Sequence, residues 1–366
     1  VYSRNNYNYK FYKLINYKIL ILIFIKCNAF FVNNLGGGFM KQRVIELTDF
    51  GVAENMRPVE ADIPSPGPGQ IVVKNIAIGL NYLDTYFRSG LYPWPNQEKI
   101  KIPGSEGVGH VHSVGQDVNF LKEGDKVSYV TPVGAYAEYA LINAAHAVEL
   151  KVDVNDHDVV ASTLKGLTTH YLLHLTFKLE SGMTALVHAA AGGVGQLMGQ
   201  WGREIGATMI GTVGGPEKAE AAKKAGYHHV IDYNDKDFVA EVMSITDNKK
   251  CDVVYDSVAK SVFPGSMDCL KPRGLWALFG QASGPIVDFN LALLSAKGSL
   301  FVTRPTLFTY IANREEYNDA SYQLYSRIAD GRLKVAIHDK MPLEKIVEAH
   351  NLLEGRKTKG GIVITL

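Results

Sequence analysis

A glycine-rich segment near the middle of the chain is the first candidate for chemistry. Residues 189–195 read AAAGGVG, with Gly192 and Gly195 at the spacing of the second and third glycines of a dinucleotide-binding loop. Without a Cβ at Gly192 and Gly193, the backbone can approach a pyrophosphate, and the following helix offers free N–H groups and the positive end of its dipole. A tight turn that holds no ligand is the alternative interpretation.

Residues 213–233 indicate which nicotinamide cofactor such a loop would hold. An NAD site usually has an Asp or Glu about 20 residues after the glycine motif, where it accepts hydrogen bonds from the ribose 2′-hydroxyl. Val213 and Gly214 occupy that place here. Lys218 and Tyr233 could instead hold a 2′-phosphate by charge and hydrogen bonding, although Lys218 could equally be a solvated helix lysine. The sequence therefore favours NADPH.

The elements that would position these residues alternate between strand and helix. Strands are predicted at 184–190, 208–213, 229–233, 252–257, 275–279 and 299–302, and helices at 194–205, 217–225, 238–245 and 262–270. Parallel strands need a crossover helix between them, so this alternation predicts a doubly wound parallel sheet of the α/β class. The glycine loop then lies at the first strand-to-helix junction.

The preceding part of the chain has a different pattern. Up to about residue 150, short strand patterns such as 41–49 and 70–78 are separated by closely spaced glycines and by a Pro/Gly stretch at 63–69. This pattern predicts a small, strongly bent antiparallel barrel. Helical patterns follow at 160–175 and 343–353, and the chain closes with a strand pattern at 361–365.

Composition excludes several classes of partner and site. The 366 residues include 38 basic and 37 acidic side chains, so a net charge of +1 gives no electrostatic reason to expect nucleic acid or an anionic membrane as main partner. The three cysteines form no CxxC pair and cannot build a disulfide framework or a four-cysteine zinc site, which favours a reducing, intracellular location. The pairs His110/His112 and His228/His229 lack a third ligand, so no metal site is expected.

Residues 1–39 differ in composition from the rest of the chain. They contain no Asp or Glu, and their one long apolar run, 19–25, is shorter than the ~20 residues that span a bilayer. That run is long enough for the apolar part of a secretory signal. We interpret the segment as an extraneous extension, with a targeting segment and a surface anchor as the alternatives, and start the fold at Met40.

Several segments together carry a family resemblance. They are 79–90 (GLNYLDTYFRSG), 103–109 (PGSEGVG), 164–168 (LKGLT), 298–305 (GSLFVTRP) and the glycine loop. From Met40 to the C-terminus the chain resembles the medium-chain dehydrogenase/reductase superfamily, and within it the NADPH-dependent quinone oxidoreductases related to zeta-crystallin, most closely the bacterial ones. The resemblance implies a Rossmann domain at 164–302 and a GroES-like, mostly β barrel domain formed by 40–163 and 303–366.

The same resemblance bears on zinc. Zinc alcohol dehydrogenases of this superfamily place a Cys ligand in the segment that matches 79–90 and a His in a PGHE motif. This chain has Asn81 and Ser105 in those segments, and neither is a credible zinc ligand. Hydride transfer to a quinone needs aligned rings and hydrogen-bond donors to the developing oxyanion, so a zinc-independent reaction is expected.

The resemblance also implies individual site residues. Asn81 would lie near the nicotinamide ribose and the substrate, and Tyr86, Tyr92 and Arg304 would line the quinone pocket, with neutral Tyr86 as a hydrogen-bond donor. Packing is the alternative role for these tyrosines, and nearby Arg88 could equally be a surface arginine. The other cofactor contacts would be Thr168, Tyr171, Gly192, Gly193, Val194, Gly214, Lys218, Tyr233, Phe279, Gly280, Val302, Thr303 and Arg356.

The expected protein is thus a cytoplasmic NADPH:quinone oxidoreductase that acts on small quinones without zinc. The resemblance implies a homodimer formed by edge strands near 298–302. Reduction of an activated C=C bond, as in alkenal and enoyl reductases, is the alternative activity because it uses the same hydride. A non-catalytic crystallin-like or RNA-binding protein is the alternative from another class, and the near-zero net charge argues against RNA as the primary partner.

Overall fold

The computed structural model describes residues 40–95 and 99–366. The interpretation of residues 1–39 therefore lies outside the described residues. Within the described ranges, no helix has both the length and the apolar character needed to cross a bilayer.

The first part of the chain is dominated by β structure. Its strands are β1 Lys41–Leu47, β2 Met56–Asp62, β3 Gln70–Leu80, β4 Glu106–Val114, β5 Lys126–Val130, β6 Tyr139–Asn143 and β7 Ala147–Glu149. Strands β1 and β2 pair as a ribbon, and the others join a seven-stranded sheet. Two strands from the end of the chain complete that sheet, β14 Ile337–Pro342 and β15 Gly361–Thr365, with β15 antiparallel to β3. The expected GroES-like, mostly β part is thus present.

The second part of the chain contains a six-stranded parallel sheet. Its strands are β8 Thr184–Val187, β9 Thr208–Val213, β10 His229–Asp232, β11 Cys251–Asp256, β12 Leu270–Leu278 and β13 Phe301–Thr303. Their spatial order is β10-β9-β8-β11-β12-β13, which reverses direction between β8 and β11. This order confirms the predicted doubly wound sheet, and ligands of such sheets bind where the order reverses, beyond the carboxyl ends of the strands.

Ten α-helices connect and cover these sheets in the described residues. They are α1 Tyr82–Arg88, α2 Asp156–Tyr171, α3 Gly193–Ile205, α4 Pro216–Lys224, α5 Phe238–Ile245, α6 Gly265–Asp268, α7 Ala292–Ala296, α8 Leu307–Tyr310, α9 Arg314–Ala329 and α10 Ile346–Glu354. Short 3₁₀ turns occur at Ala53–Asn55, Ala144–His146 and Leu343–Lys345. Helix α2 packs against β3, β4 and β15 of the seven-stranded sheet and also against helices α3 and α9. Its side chains therefore contact both this sheet and helices of the second part of the chain.

Some predicted elements have different bounds in the structure. Helix α2 is followed by a π-helical turn at Leu172–Thr176, so the predicted helix 160–175 combines two elements. The predicted helix 262–270 is shorter in the structure, because α6 starts after its N-cap residue Pro264 and Leu270 already belongs to β12. The predicted strand 299–302 begins only at Phe301, since Ser299 has a φ of 55°, which no strand adopts. Helix α9 was not predicted.

Candidate active site

A cleft of about 1450 Å³ runs along the carboxyl ends of β8 and β9 to helix α1. It collects most of the residues singled out from the sequence: Asn81, Tyr86, Tyr92, Thr168, Tyr171, Gly192, Gly193, Val194, Gly214, Lys218, Tyr233, Phe279, Gly280, Arg304 and Arg356. Val302 and Thr303 are not part of its wall. Both belong to the edge strand β13, where Val302 pairs with Trp276 and is 36% exposed.

The glycine loop forms the N-terminus of helix α3. Gly192 is the N-cap residue, and α3 starts at Gly193. A Cβ on Gly195 would lie 2.5 Å from the Ala189 carbonyl oxygen, so only glycine lets the helix pack this closely on the strand that precedes it. A Cβ on Gly193 would lie 2.6 Å from Cδ of Lys165. The lack of a side chain at Gly193 therefore makes room for a lysine stem as well as for a ligand.

Two cations lie close together at the end of the cleft beyond β9. Lys218 Nζ donates to the Arg356 carbonyl oxygen at 2.7 Å. Partial burial, and then the nearby Arg356 guanidinium, lower the pKa of Lys218. Two positive groups that repel each other in a cleft favour an anion between them. Tyr233 belongs to the same corner, because a Cβ on Gly214 would lie 2.5 Å from its hydroxyl.

One carboxylate near this corner was not anticipated. Asp232 ends β10, and its Oδ1 accepts hydrogen bonds from Gly215 N at 2.9 Å and Asn234 N at 3.1 Å. Asp232 is absent from the cleft wall, unlike its neighbour Tyr233. Its backbone partners therefore keep the carboxylate behind the loop, and the cations rather than the acid face the cleft.

Hydrogen-bond donors gather at the opposite end of the cleft. The Tyr86 hydroxyl accepts from Gln281 N at 3.0 Å, which leaves its own proton available to donate. Burial raises the pKa of Tyr86 to about 12, so the phenol is neutral and keeps a proton that it can donate. Arg304 donates from Nη2 to the Tyr92 hydroxyl at 2.9 Å and from Nη1 to the Leu278 carbonyl at 3.1 Å. The tyrosine rings lie 5.2 Å apart.

Asn81 belongs to a buried charged cluster that the sequence analysis missed. Lys165 Nζ donates to Asn81 Oδ1 at 2.7 Å and to Glu106 Oε1 at 2.9 Å, and Asn81 Nδ2 donates to the same Glu106 oxygen at 2.8 Å. The Lys165 side chain is 9% exposed and that of Glu106 is fully buried. A lysine within the apolar pattern of α2, in the LKGLT segment, was the signal that could have revealed it.

Arg88 is a buried structural residue, so its interpretation as a surface arginine is wrong. Only 3% of it is exposed, and its two terminal nitrogens contact the two Glu354 carboxylate oxygens at 2.7 and 2.8 Å. It also donates to the Gly51 carbonyl at 3.0 Å and lies 3.2 Å from His350 Nδ1. Because arginine can only donate, Nδ1 is the acceptor. Burial, and then the Arg88 charge, lower the pKa of His350 to about 3.

The residues of the cleft fit a phosphorylated dinucleotide and do not fit zinc. The N-terminus of α3, with glycines at its start, matches the pyrophosphate of NADPH. The cations Lys218 and Arg356 match its 2′-phosphate. Where zinc relatives would hold metal, Asn81 is bonded to the Lys165 ammonium, which would repel a second cation. The described part of the chain has no group of three or more His, Cys, Asp or Glu side chains placed to bind a metal ion.

Two family models match the two parts of the chain. The model described as an alcohol dehydrogenase GroES-like domain matches residues 67–152, and the model described as a zinc-binding dehydrogenase matches residues 193–324. Together with the fold and the cleft, these matches define a medium-chain dehydrogenase/reductase. The description of the second model names zinc, whereas Asn81 and Ser105, which the resemblance places where zinc relatives have ligands, do not fit a zinc ion.

Known relatives identify the branch of this class. The chain is 43% identical over 324 residues to a quinone oxidoreductase of Pseudomonas aeruginosa, covering 87% of this chain and 98% of the relative. The crystal structure of the Escherichia coli quinone oxidoreductase complexed with NADPH matches with a TM-score of 0.84 and 42% identity, covering 89% of this chain and all of the other. The chain belongs to the quinone oxidoreductase family, which confirms the resemblance drawn from the sequence. A 2-haloacrylate reductase of Burkholderia sp. is 41% identical over 319 residues, covering 86% of this chain and 96% of the relative.

Proposed function

We propose that the protein is an NADPH-dependent quinone oxidoreductase that works without zinc. The observation that carries this proposal is the layout of one continuous cleft. A glycine-started helix and a cation corner lie at one side, and a neutral phenol with an adjacent guanidinium lies at the other. Family membership at 43% identity, with an NADPH complex among the structural relatives, supports the same function.

When bound, NADPH supplies a hydride from C4 of its nicotinamide ring. The residues of the chain bind and orient the cofactor and the quinone, and they stabilise the negative charge that develops on the quinone oxygen. Gly192 and Gly193 let the backbone of α3 approach the pyrophosphate, and Lys218, Tyr233 and Arg356 hold the 2′-phosphate. Tyr86 donates its proton in a hydrogen bond to the quinone oxygen on which negative charge develops. The Arg304 guanidinium stabilises that charge from beside Tyr92.

The function is tested by anaerobic mixing of the full chain, stripped of metal with chelator, with NADPH or NADH and then with 1,4-benzoquinone or a 2-alkenal. We expect tight NADPH binding and rapid oxidation of NADPH by the quinone. Oxidation by the alkenal alone would move the activity to double-bond reduction. A protein that binds NADPH and reacts with neither substrate would contradict the proposed enzyme.

Cofactor choice gives a prediction about Lys218. We expect Lys218→Ala to weaken NADPH binding roughly 10- to 100-fold, the loss of one charge-assisted hydrogen bond, and to change NADH binding less than about threefold. Fluorescence titration with both cofactors measures the two affinities. Lys223→Ala is the control, since that lysine lies on the same helix and pairs with Glu220 at the surface. Equal weakening of both cofactors would remove Lys218 from the 2′-phosphate site.

The contacts of Arg304 support a second candidate activity, the reduction of alkenes that carry a carboxylate. In the described ranges its guanidinium contacts only a hydroxyl and a carbonyl oxygen, with no acidic partner. An arginine placed in this way can pair with a substrate carboxylate. The relative named as a 2-haloacrylate reductase supports this candidate. Turnover of 2-chloroacrylate that falls in Arg304→Gln while NADPH affinity is unchanged would establish it.

We propose a homodimer that forms through β13. Among the described strands, β13 has a neighbour only on its β12 side, and Phe301 on it is 61% exposed. Val287 and Leu291, in the loop before helix α7, are 71% and 70% exposed. An edge strand with apolar neighbours is suited to pairing with a second copy. We expect light scattering to give twice the chain mass of 40.2 kDa, and Phe301→Asp to halve the measured mass. A monomeric parent protein would contradict this proposal.

The domain limits and the compartment are proposals as well. Residues 40–163 and 303–366 would form the GroES-like domain and residues 164–302 the Rossmann domain, supported by the antiparallel pairing of β15 with β3. A cytoplasmic location is supported by the free thiols of Cys251 and Cys269, since reducing compartments keep cysteines unpaired.

A further inference from the structure

We propose that Lys165 is a positioning residue of the reaction: its ammonium orients the Asn81 carboxamide and places a fixed positive charge on the wall of the cleft. This inference rests on the proposed function and adds a residue to it. Lys165 and Asn81 both line the cleft, although each is more than nine-tenths buried. A buried cation on the wall of a substrate cleft is costly to maintain unless it is paired.

The hydrogen bonds of the cluster leave the Asn81 amide only one orientation. Its oxygen accepts from the Lys165 ammonium, and its nitrogen donates to the Glu106 carboxylate. A flipped amide would point its N–H₂ group at the ammonium and its oxygen at the carboxylate, two repulsive contacts. In the part of the chain that the structure describes, the second N–H of Asn81 reaches only the Gly79 carbonyl, at a long 3.4 Å. Asn81 is thus held by its neighbours and has little donor capacity left for a substrate.

Lys165 retains a donor where Asn81 does not. An ammonium has three N–H groups, and two are used by Asn81 and Glu106. Within residues 40–95 and 99–366, Nζ has no third hydrogen-bond acceptor. A preorganised charge beside developing negative charge lowers the barrier without reorganising during the reaction. The remaining N–H of Lys165 is therefore the hydrogen-bond donor that this cluster can offer at the cleft wall.

The backbone around the cluster is built to accommodate it. A Cβ on Gly79 would collide with the Glu106 carboxylate, and a Cβ on Gly193 would lie 2.6 Å from Cδ of Lys165. Leu164 N donates to the other Glu106 oxygen at 2.6 Å, so the carboxylate that anchors Lys165 is itself fixed. Strand β3, strand β4, helix α2 and the start of α3 thus each contribute to holding one ammonium in place.

The test separates this role from simple charge neutralisation of Glu106. Lys165→Met removes the charge and keeps most of the length of the side chain, but it leaves the Glu106 carboxylate buried without its cation, which lowers the urea midpoint of unfolding. The double variant Lys165→Met/Glu106→Gln removes both charges and is expected to recover that midpoint. Lys271→Met is the matched control, since Lys271 pairs with Asp252 at 2.8 Å outside the cleft.

Each full-length variant is compared with the parent in NADPH titration, urea unfolding and quinone turnover. We expect Lys165→Met and the double variant to lower kcat roughly 10- to 100-fold, the usual effect of removing a group that orients a functional residue. NADPH affinity should change less than about fivefold, and Lys271→Met should keep its turnover. If Lys165→Met does not fold, the double variant alone decides the question.

Two results would overturn the inference while leaving the proposed function intact. Normal turnover in the double variant would show that Lys165 only neutralises Glu106. A loss of NADPH affinity as large as the loss of turnover would make Lys165 a cofactor-binding residue. A parent protein that binds NADPH and reduces no quinone would overturn the proposed function itself, and equal alkene turnover in the parent and the double variant would then overturn the role of Lys165 too.

Discussion

Replacing Tyr86 by Phe is expected to lower quinone turnover roughly 10²- to 10³-fold, the cost of losing one preorganised donor to a developing oxyanion. The Tyr86 hydroxyl accepts a hydrogen bond from Gln281 N, so its own proton remains available to donate in the described cleft. Burial raises the pKa of Tyr86 to about 12. A neutral phenol remains a donor throughout the ordinary pH range. We therefore expect the loss of turnover in Tyr86→Phe to be independent of pH between about 6 and 9.

The measurement is stopped-flow oxidation of bound NADPH by 1,4-benzoquinone, with the affinity for NADPH titrated separately. Tyr82→Phe is the control because Tyr82 is on the same helix, and its hydroxyl donates to the Leu353 carbonyl at 3.0 Å. NADPH affinity should stay within a fewfold in both variants. Turnover retained in Tyr86→Phe would assign the tyrosine a packing role, the alternative that its sequence context left open.

Local patterns were enough to predict the parallel sheet. Strand β9 and helix α5 have the predicted bounds, because a continuous apolar strand and an amphipathic helix are marked by residues within one short window. Helix α9 was missed although Tyr317, Ala320 and Leu324 have helical spacing. Its exposed positions are strongly polar and its buried positions include tyrosines, so the apolar stripe is weak in the sequence.

The glycine loop of the cleft was predictable from the sequence, whereas the contacts of Lys165 were not. The glycine loop and Lys218 follow from spacing after a strand, which sequence shows directly. The contacts of Lys165 join residues 84 and 59 positions apart along the chain, to Asn81 and Glu106, and no periodicity encodes such distances. Val302, which the resemblance implied as a cofactor contact, pairs with Trp276 of β12 in the edge strand β13, and its contact with the cofactor stays a prediction.

Arg88→Met is expected to lower the free energy of unfolding by about 3 kcal/mol, at the lower end of the cost of breaking a buried ion pair. Glu354 is 39% exposed and can be partly rehydrated, which limits the penalty for the unpaired carboxylate. The Gly51 carbonyl and His350 Nδ1 would lose their donor and are far less able to recover one, since His350 is fully buried. Removal of one guanidinium therefore leaves three acceptors without their partner.

Urea unfolding at pH 7 measures this cost against Arg57→Met. Arg57 also pairs with a glutamate, Glu46, at 2.8 Å, but its side chain is 64% exposed. An exposed pair is worth roughly 0–1 kcal/mol, so the two substitutions remove the same chemical contact from different surroundings. The difference between them isolates the effect of burial. Equal, small losses in both variants would show that water replaces Arg88, and the helix that carries Tyr86 would then not depend on this ion pair.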